Sequence, residues 1–251
     1  MPGGSSTARE IAAVIERRLR AAGEPARAAG EKRYLKSDLT FYGASKPKLR
    51  AVVAATLAEH GPLGRRRLLA IARALWGRPV FECRGAAADL LERHTDLLAA
   101  ADAALLERFI RESRTWALVD WLAIPVAGPL VERESALGPM LDRWAADDDF
   151  WVRRAALIAL LPPLRRGEGD FARFGRYADA MLDEREFFVR KAIGWVLRET
   201  AKRQPALVVD WLLPRAGRAS GVTLREAVKY VPAPDRARIL ARRDSSPRTA
   251  R

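Results

Sequence analysis

The 251-residue sequence holds one cysteine, two histidines and no long apolar run. Cys83 cannot form an internal disulfide, and with only His60 and His94 beside it there is no zinc-ligand cluster, so a metal hydrolase would depend on carboxylates alone. Apolar stretches are broken by Arg, Asp or Glu well short of the roughly 20 residues a spanning helix needs, so no membrane segment is expected. Period-two alternation between hairpin turns is missing, and with it the signature of a sheet. A Walker loop and a dinucleotide-binding glycine fingerprint are also missing, so neither a metal nor a nucleotide cofactor is expected. The opening residues, Met1 to Ser6, lack a basic segment leading into an apolar core. The expectation is a reducing cytoplasm in which Cys83 is a buried small hydrophobe.

Cations and apolar residues are abundant. Lys plus Arg number 45 against 31 Asp plus Glu, a net charge of +14, with 49% hydrophobic and 30% charged residues. Such a chain buries a sizeable core, and its field favours polyanions, of which nucleic acid is the commonest. Solubility in an Arg- and Ala-rich chain is the plainer explanation of the same charge.

Helical periodicity runs through the sequence and predicts an all-α fold. Thr7-Ala8-Arg9-Glu10 has capping-box spacing, followed by Ile11, Val14, Ile15 and Leu19 on one face, with Gly23 and Pro25 as stops. Further helices are expected over Ala26–Lys36, from Ser45 with Pro47 in its first turn, and over Arg65–Trp76, Phe81–His94, Ala101–Glu112, Thr115–Leu122, Leu137–Ala145, Asp149–Leu161, Phe171–Leu182, Glu186–Lys202, Ala206–Leu212 and Thr223–Val231. An internal repeat lies within this pattern. Phe150-Trp151-Val152-Arg153-Arg154-Ala155-Ala156 matches Phe187-Phe188-Val189-Arg190-Lys191-Ala192-Ile193 position for position, and Phe81-Glu82-Cys83-Arg84-Gly85-Ala86-Ala87 is a fainter copy. Repeating helix pairs, with Val-Arg-x-Ala resembling the second helix of HEAT repeats, predict a HEAT-like solenoid with a concave basic groove. One continuous array is expected over residues 7–242, between disordered tails at 1–6 and 243–251.

Two constellations stand out. Lys191, Trp195 and Arg198, at i, i+4 and i+7, set two cations and an indole on one helix face, as suits contact with phosphate and sugar or base. Trp116 and Asp120, at i and i+4, stack an indole and a carboxylate. A helical Trp is more often core, and a helical Asp more often a solvated charge or cap. Trp151 reads as core, and Trp121 and Trp211 show no polar companion that points beyond packing.

The sequence resembles the alkylpurine DNA glycosylases of the AlkD type, a family of DNA repair enzymes built from HEAT-like repeats. Four blocks carry the likeness: Arg33-Tyr34-Leu35-Lys36 with Phe41-Tyr42-Gly43 and Pro47; Trp116-x-x-x-Asp120; Trp151 to Ala156; and Phe187 to Glu199. By position, Trp116 and Trp195 match two cleft tryptophans that pack against the lesion's deoxyribose, and Asp120 matches the catalytic carboxylate. Arg154 matches an arginine that contacts DNA beside the lesion, although the repeat of Arg/Lys at that position also fits a role in the array. Tyr34 matches a nearby aromatic, and Lys191 and Arg198 are further DNA-facing candidates. Family members often carry an acidic residue directly after the first cleft tryptophan; this chain has Ala117.

The resemblance implies a monofunctional glycosylase acting, as a monomer and without cofactor, on cationic N3- and N7-alkylpurines in duplex DNA, held without a deep base pocket. Such bases leave as neutral species, so the protein need only stabilise an oxocarbenium-like sugar and orient water. In the cell it would associate with the nucleoid when bound to DNA. Alternatives are a non-catalytic duplex-binding HEAT-repeat protein and a HEAT scaffold for a protein partner.

Overall fold

The computed structural model describes residues 7–244. The expected tail at 1–6, and the expected tail at 243–251 from residue 245 onward, lie outside these residues. Among the described residues the chain is all-α, with no strand and one isolated bridge between Thr40 and Val80. No described helix is long and apolar enough to cross a membrane.

Contacts divide the chain into two compact units, residues 1–126 and 127–251. The boundary falls inside a π-type turn, Ala123–Ala127, that contains Pro125. Proline has no N–H to donate to the preceding turn, so an α-helical ladder cannot run through this segment unchanged.

In the first unit, α1 (Ala8–Ala21) starts at the expected capping box: Thr7 Oγ1 accepts from the Glu10 amide at 3.3 Å, and Glu10 Oε2 accepts from the Thr7 amide at 2.7 Å. Its buried stripe of Ile11, Ile15 and Leu19 packs on α3 (Lys46–Ala58), α4 (Arg65–Trp76) and α5 (Phe81–Arg93). Pro25 opens α2 (Pro25–Leu35) rather than merely ending α1, as suits a residue whose missing N–H costs nothing in a first turn. Ser45 precedes α3 but makes no side-chain cap bond. Helices α6 (Ala103–Ser113) and α7 (Trp116–Leu122) pack together, and α7 also packs on α5.

The second unit holds α8 (Gly128–Arg133), α9 (Gly138–Ala145), α10 (Phe150–Ala159), α11 (Leu161–Arg166), α12 (Phe171–Ala180), α13 (Phe187–Ala201), α14 (Pro205–Leu212), α15 (Gly221–Ala227) and α16 (Ala233–Asp244). Helices α10 and α13 carry the two copies of the repeat and pack against each other, and α13 packs most extensively on α15. Trp151 is buried, as its repeat position predicts, and its ring lies tilted at 37° to that of Phe188, with centroids 4.9 Å apart. Three helices were not expected: α8, α11 and α16. Arg243 and Asp244 end α16, so they are helical and not part of a tail.

Candidate functional site

Helix α7 displays the Trp-x-x-x-Asp pair. Arg114, in the left-handed region at φ 46°, turns the chain out of α6, and Thr115 is the extended N-cap residue of α7. Leu118, Val119, Trp121 and Leu122 are buried, while Trp116, Ala117 and Asp120 are half-buried, so the pair lies along the helix edge that the core leaves open. Tyr34, 73% exposed at the end of α2, sets its ring edge-on to Trp116, with centroids 6.1 Å apart and planes at 89°. Tyr34, Trp116 and Ala117 border a cavity of about 270 Å³. Trp121, also on this cavity, donates its indole N–H to Glu92 at 2.6 Å, and the Lys46 ammonium lies 3.7 Å from its ring centroid. Burial pushes the Lys46 amine down, and Arg50 adds to the effect, against the pull of Glu92 and Asp89. Burial raises the Glu92 carboxyl, but hydrogen bonds from Arg50 and Trp121 outweigh it and hold the group below the usual range.

The loop behind Tyr34 is held by a buried acid. Glu82, fully buried on α5, accepts from the amides of Tyr42 at 3.0 Å, Gly43 at 2.5 Å and Ala44 at 3.2 Å. Gly43 has φ +83°, and a Cβ there would lie 2.2 Å from the carbonyl oxygen of Glu24, so only glycine fits. Phe41 stacks on Phe81 at 4.8 Å, and the Tyr42 hydroxyl donates to Glu16 at 2.8 Å while accepting from Arg20 at 2.9 Å. The Phe41-Tyr42-Gly43 block thus anchors the loop that follows α2.

In the second unit, α13 presents Lys191, Trp195 and Arg198 half-buried on one face. The cations are engaged. Lys191 donates to Glu226 Oε1 at 2.5 Å, Lys229 donates to the same oxygen at 3.0 Å, and Arg198 donates to Glu226 Oε2. Burial raises the Glu226 carboxyl, yet the hydrogen bonds from Lys191 and Lys229 and the nearby charges of Lys191 and Arg198 bring it down to about 2. Arg198, Lys202 and Arg165 gather similarly around Glu199. Gly194 makes the arrangement possible, because a Cβ there would stand 2.7 Å from both Glu226 Cβ and the Thr223 carbonyl oxygen.

Arg154 is turned inward. It is 3% exposed, donates to the Phe188 carbonyl at 2.5 Å and lies 6.0 Å from the Phe188 ring centroid. Lys191, its repeat equivalent, likewise reaches forward, to Glu226 on α15. The recurring cation therefore braces one helix of the array against the next, and the bonds shown by Arg154 are to protein.

Several expectations meet in space. Tyr34 joins Trp116, Trp116 and Asp120 share one helix edge, and Lys191 and Arg198 share Glu226. Sequence reading missed Glu226, Glu92 and Lys46, each with a partner tens of residues away. It also missed the Arg215 guanidinium 4.8 Å from the Trp211 ring centroid, a pairing that its i, i+4 spacing signalled. Cys83 is buried and free, with burial pushing its thiol up to about 12. Among the described residues no group of three His, Cys, Asp or Glu side chains could hold a metal ion.

Among solved structures, a predicted DNA alkylation repair enzyme from Enterococcus faecalis matches with a TM-score of 0.76 at 23% identity, over 84% of this chain and 97% of that one. AlkD2 from Streptococcus mutans matches with a TM-score of 0.64 at 15% identity, over 90% of this chain and all of that one. At these identities the likeness shows a shared helical-repeat fold. No curated protein matches the chain. The family-level comparison reaches further: residues 15–231 match the DNA alkylation repair enzymes, and the chain belongs to that family.

Proposed function

We propose that the protein is a monofunctional DNA glycosylase that hydrolyses the N-glycosidic bond of cationic N3- and N7-alkylpurines in duplex DNA. The observation that carries this reading is the open edge of α7, where Asp120 stands one turn from Trp116, itself capped by the ring of Tyr34. Backbone binding calls for cations, and a carboxylate beside an aromatic pair serves it poorly; such a group suits a sugar that becomes positively charged.

An alkylated purine leaves with the electrons of its glycosidic bond and becomes neutral, so no acid is needed. Positive charge then builds on the deoxyribose. The Asp120 carboxylate stabilises that charge and orients the water whose oxygen bonds to C1′, and the water's proton passes to the carboxylate or to solvent. Trp116, one turn from Asp120, supplies an electron-rich face to the sugar, and Trp195 offers another aromatic face on α13. Lys191, Arg198 and Tyr34 contact the duplex, while Arg154 braces α10 against α13. The protein acts as a monomer in the cytoplasm, on the nucleoid.

The test is release of 3-methyladenine and 7-methylguanine from methylated duplex DNA. With one preorganised electrostatic partner worth about 3 kcal/mol, Asp120→Asn should slow release roughly 100-fold or more while duplex binding persists. A folded wild-type protein that binds the duplex and frees no base would replace this reading with that of a non-catalytic DNA-binding repeat protein.

A further inference from the structure

A second cleft in the first unit, of about 450 Å³, lies between the turn after α2, the first turn of α5 and the turn from α6 into α7. Lys36, Arg84, Arg111 and Arg114 line it, with Asp38 and Glu112 as the acids. Leu39 alone of the lining residues is apolar, and none is aromatic. Pockets for small organic ligands are mostly apolar, so this lining suits a charged group rather than a ring system.

Two of these cations hold backbone conformations that their side chains disfavour. Of the described non-glycine residues, two have positive φ, Lys36 at 48° and Arg114 at 46°, and both line this cleft. They are the C-cap residues of α2 and α6, and the left-handed region at a helix end usually selects glycine. The helix dipoles do not account for them, because Lys32 and Arg33 already stand in the last turn of α2 and Arg111 in that of α6. Residues strained in this way collect at ligand sites, where the surrounding fold holds them.

Among the described residues, the exposed Lys36 and Arg114 side chains make no hydrogen bond or ion pair. Arg84, by contrast, donates to the Glu112 backbone carbonyl at 2.6 Å and lies 5.1 Å from the Trp76 ring centroid, and Arg111 donates to Glu107 at 2.7 Å. Burial pushes the Arg84 guanidinium down from its ordinary value; the Glu112 carboxylate opposes this, and the like charge of Arg114 adds to it. The guanidiniums of Arg84 and Arg114 are thus close enough to repel, and an anion beside both would offset that repulsion. Glu112 is committed elsewhere, since its carboxylate accepts from the Trp76 indole at 2.7 Å and lies 3.6 Å from Arg108. The Ser37 hydroxyl accepts from the Leu39 amide at 3.3 Å and keeps its own proton to donate.

We infer that this cleft seats a phosphate of a DNA strand, held by Lys36, Arg114 and the Ser37 hydroxyl, with Arg84 as a further fixed charge. The inference rests on the duplex-binding part of the proposed function and adds to it an anchoring site in the first unit. Lys36 follows Tyr34 by two residues and Arg114 precedes Trp116 by two, a reach of at most about 7 Å of backbone in each case. A strand advances about 3.4 Å per nucleotide, so one whose sugar meets Trp116 brings a phosphate to the cleft within a few nucleotides. Such a contact fixes the register of the strand without reading its sequence.

Glycine is the informative replacement, because it removes each charge and suits the left-handed backbone. Binding of an undamaged duplex, read by fluorescence anisotropy across a salt series, should weaken roughly tenfold in Lys36→Gly/Arg114→Gly, the loss of a hydrogen bond to a charged group. The fall of log K against log salt should become shallower by about 0.9, the share of one phosphate. The urea midpoint of this variant should stay at or above that of the wild type, since the strain is relieved. Lys36→Arg/Arg114→Lys keeps both charges and should bind like the wild type. Arg9→Ala/Arg17→Ala, which removes two exposed charges from α1, should leave affinity and slope near wild type. Equal losses in the α1 and glycine variants would overturn the proposal, as would wild-type affinity in the folded glycine variant. Isothermal titration with inorganic phosphate separates the sources of the anion: binding by the wild type that the glycine variant lacks, with duplex affinity unchanged, assigns the cleft to a free phosphate ester and overturns the strand contact. Base release from methylated duplex keeps this proposal apart from the glycosylase reading. A wild type that releases bases, with the glycine variant binding as tightly, loses the anchor and keeps the glycosylase. A wild type that releases none, with binding weakened in the glycine variant alone, keeps the anchor and loses the glycosylase.

Discussion

Glu226, 7% exposed beside Lys191, Arg198 and Lys229, links folding to pH through one carboxyl group. Its folded pKa of about 2 lies below the ordinary 4.5, so the unfolded chain binds its proton more readily. The resulting stabilisation is fully present above about pH 4.5 and is lost as pH falls towards 2. A shift of this size corresponds to on the order of 3 kcal/mol. Urea titrations of Glu226→Gln and wild type should therefore differ clearly at pH 6 and converge as the pH approaches 2. A constant difference across that range would show that packing, and not charge, makes Glu226 matter. Sequence spacing placed Lys191 and Arg198 on one face, as the structure has them, but not their partner: Glu226 lies 35 residues beyond Lys191. Arg154 shows the same limit from the other side, since its inward bond to Phe188 depends on where α13 packs.

Elements were legible wherever an apolar stripe persisted for three turns, as in α1, α4, α10 and α13, and three helices that open on proline were missed. Helix α8 has Pro129 after Gly128, α11 has Pro162 and Pro163 after Leu161, and α16 has Pro234 after Ala233. In each, proline sits in a first turn that has no use for its missing N–H. The cavity was illegible for a different reason: its walls come from α2, α3, α5 and α7, and only their packing encloses it. Gly194 shows how such packing is set by one residue. In an open helix, Gly→Ala would stabilise by about 1 kcal/mol. At Gly194, however, the added methyl meets the Thr223 backbone oxygen at 2.7 Å, and backbone cannot swing aside as a flexible side chain can. Overpacking should win, so Gly194→Ala is expected to destabilise by about 1–3 kcal/mol in denaturant melts, with α15 displaced from α13. Unchanged or increased stability would mean that α15 adapts freely to α13.

At the scale of the whole molecule, the net charge of +14 overstates what is available to a polyanion, because many cations already face carboxylates within the fold. What remains is an imbalance within clusters: around Glu199 and Glu226, the residues Arg165, Lys191, Arg198, Lys202 and Lys229 outnumber the acids. Salt dependence measures how much of that imbalance reaches phosphate. Each phosphate neutralised on a duplex contributes about 0.9 to the steepness with which log K falls against log salt. Lys191→Ala should weaken binding to undamaged duplex and reduce that steepness by about 0.9, whereas Asp120→Asn should leave it unchanged, because a residue acting on the sugar releases no counterion. Fluorescence anisotropy across a salt series reads both slopes. An unchanged slope in Lys191→Ala would confine that lysine to bracing α13 against α15, and flat salt dependence in the wild type would remove duplex DNA as the partner that its charge attracts.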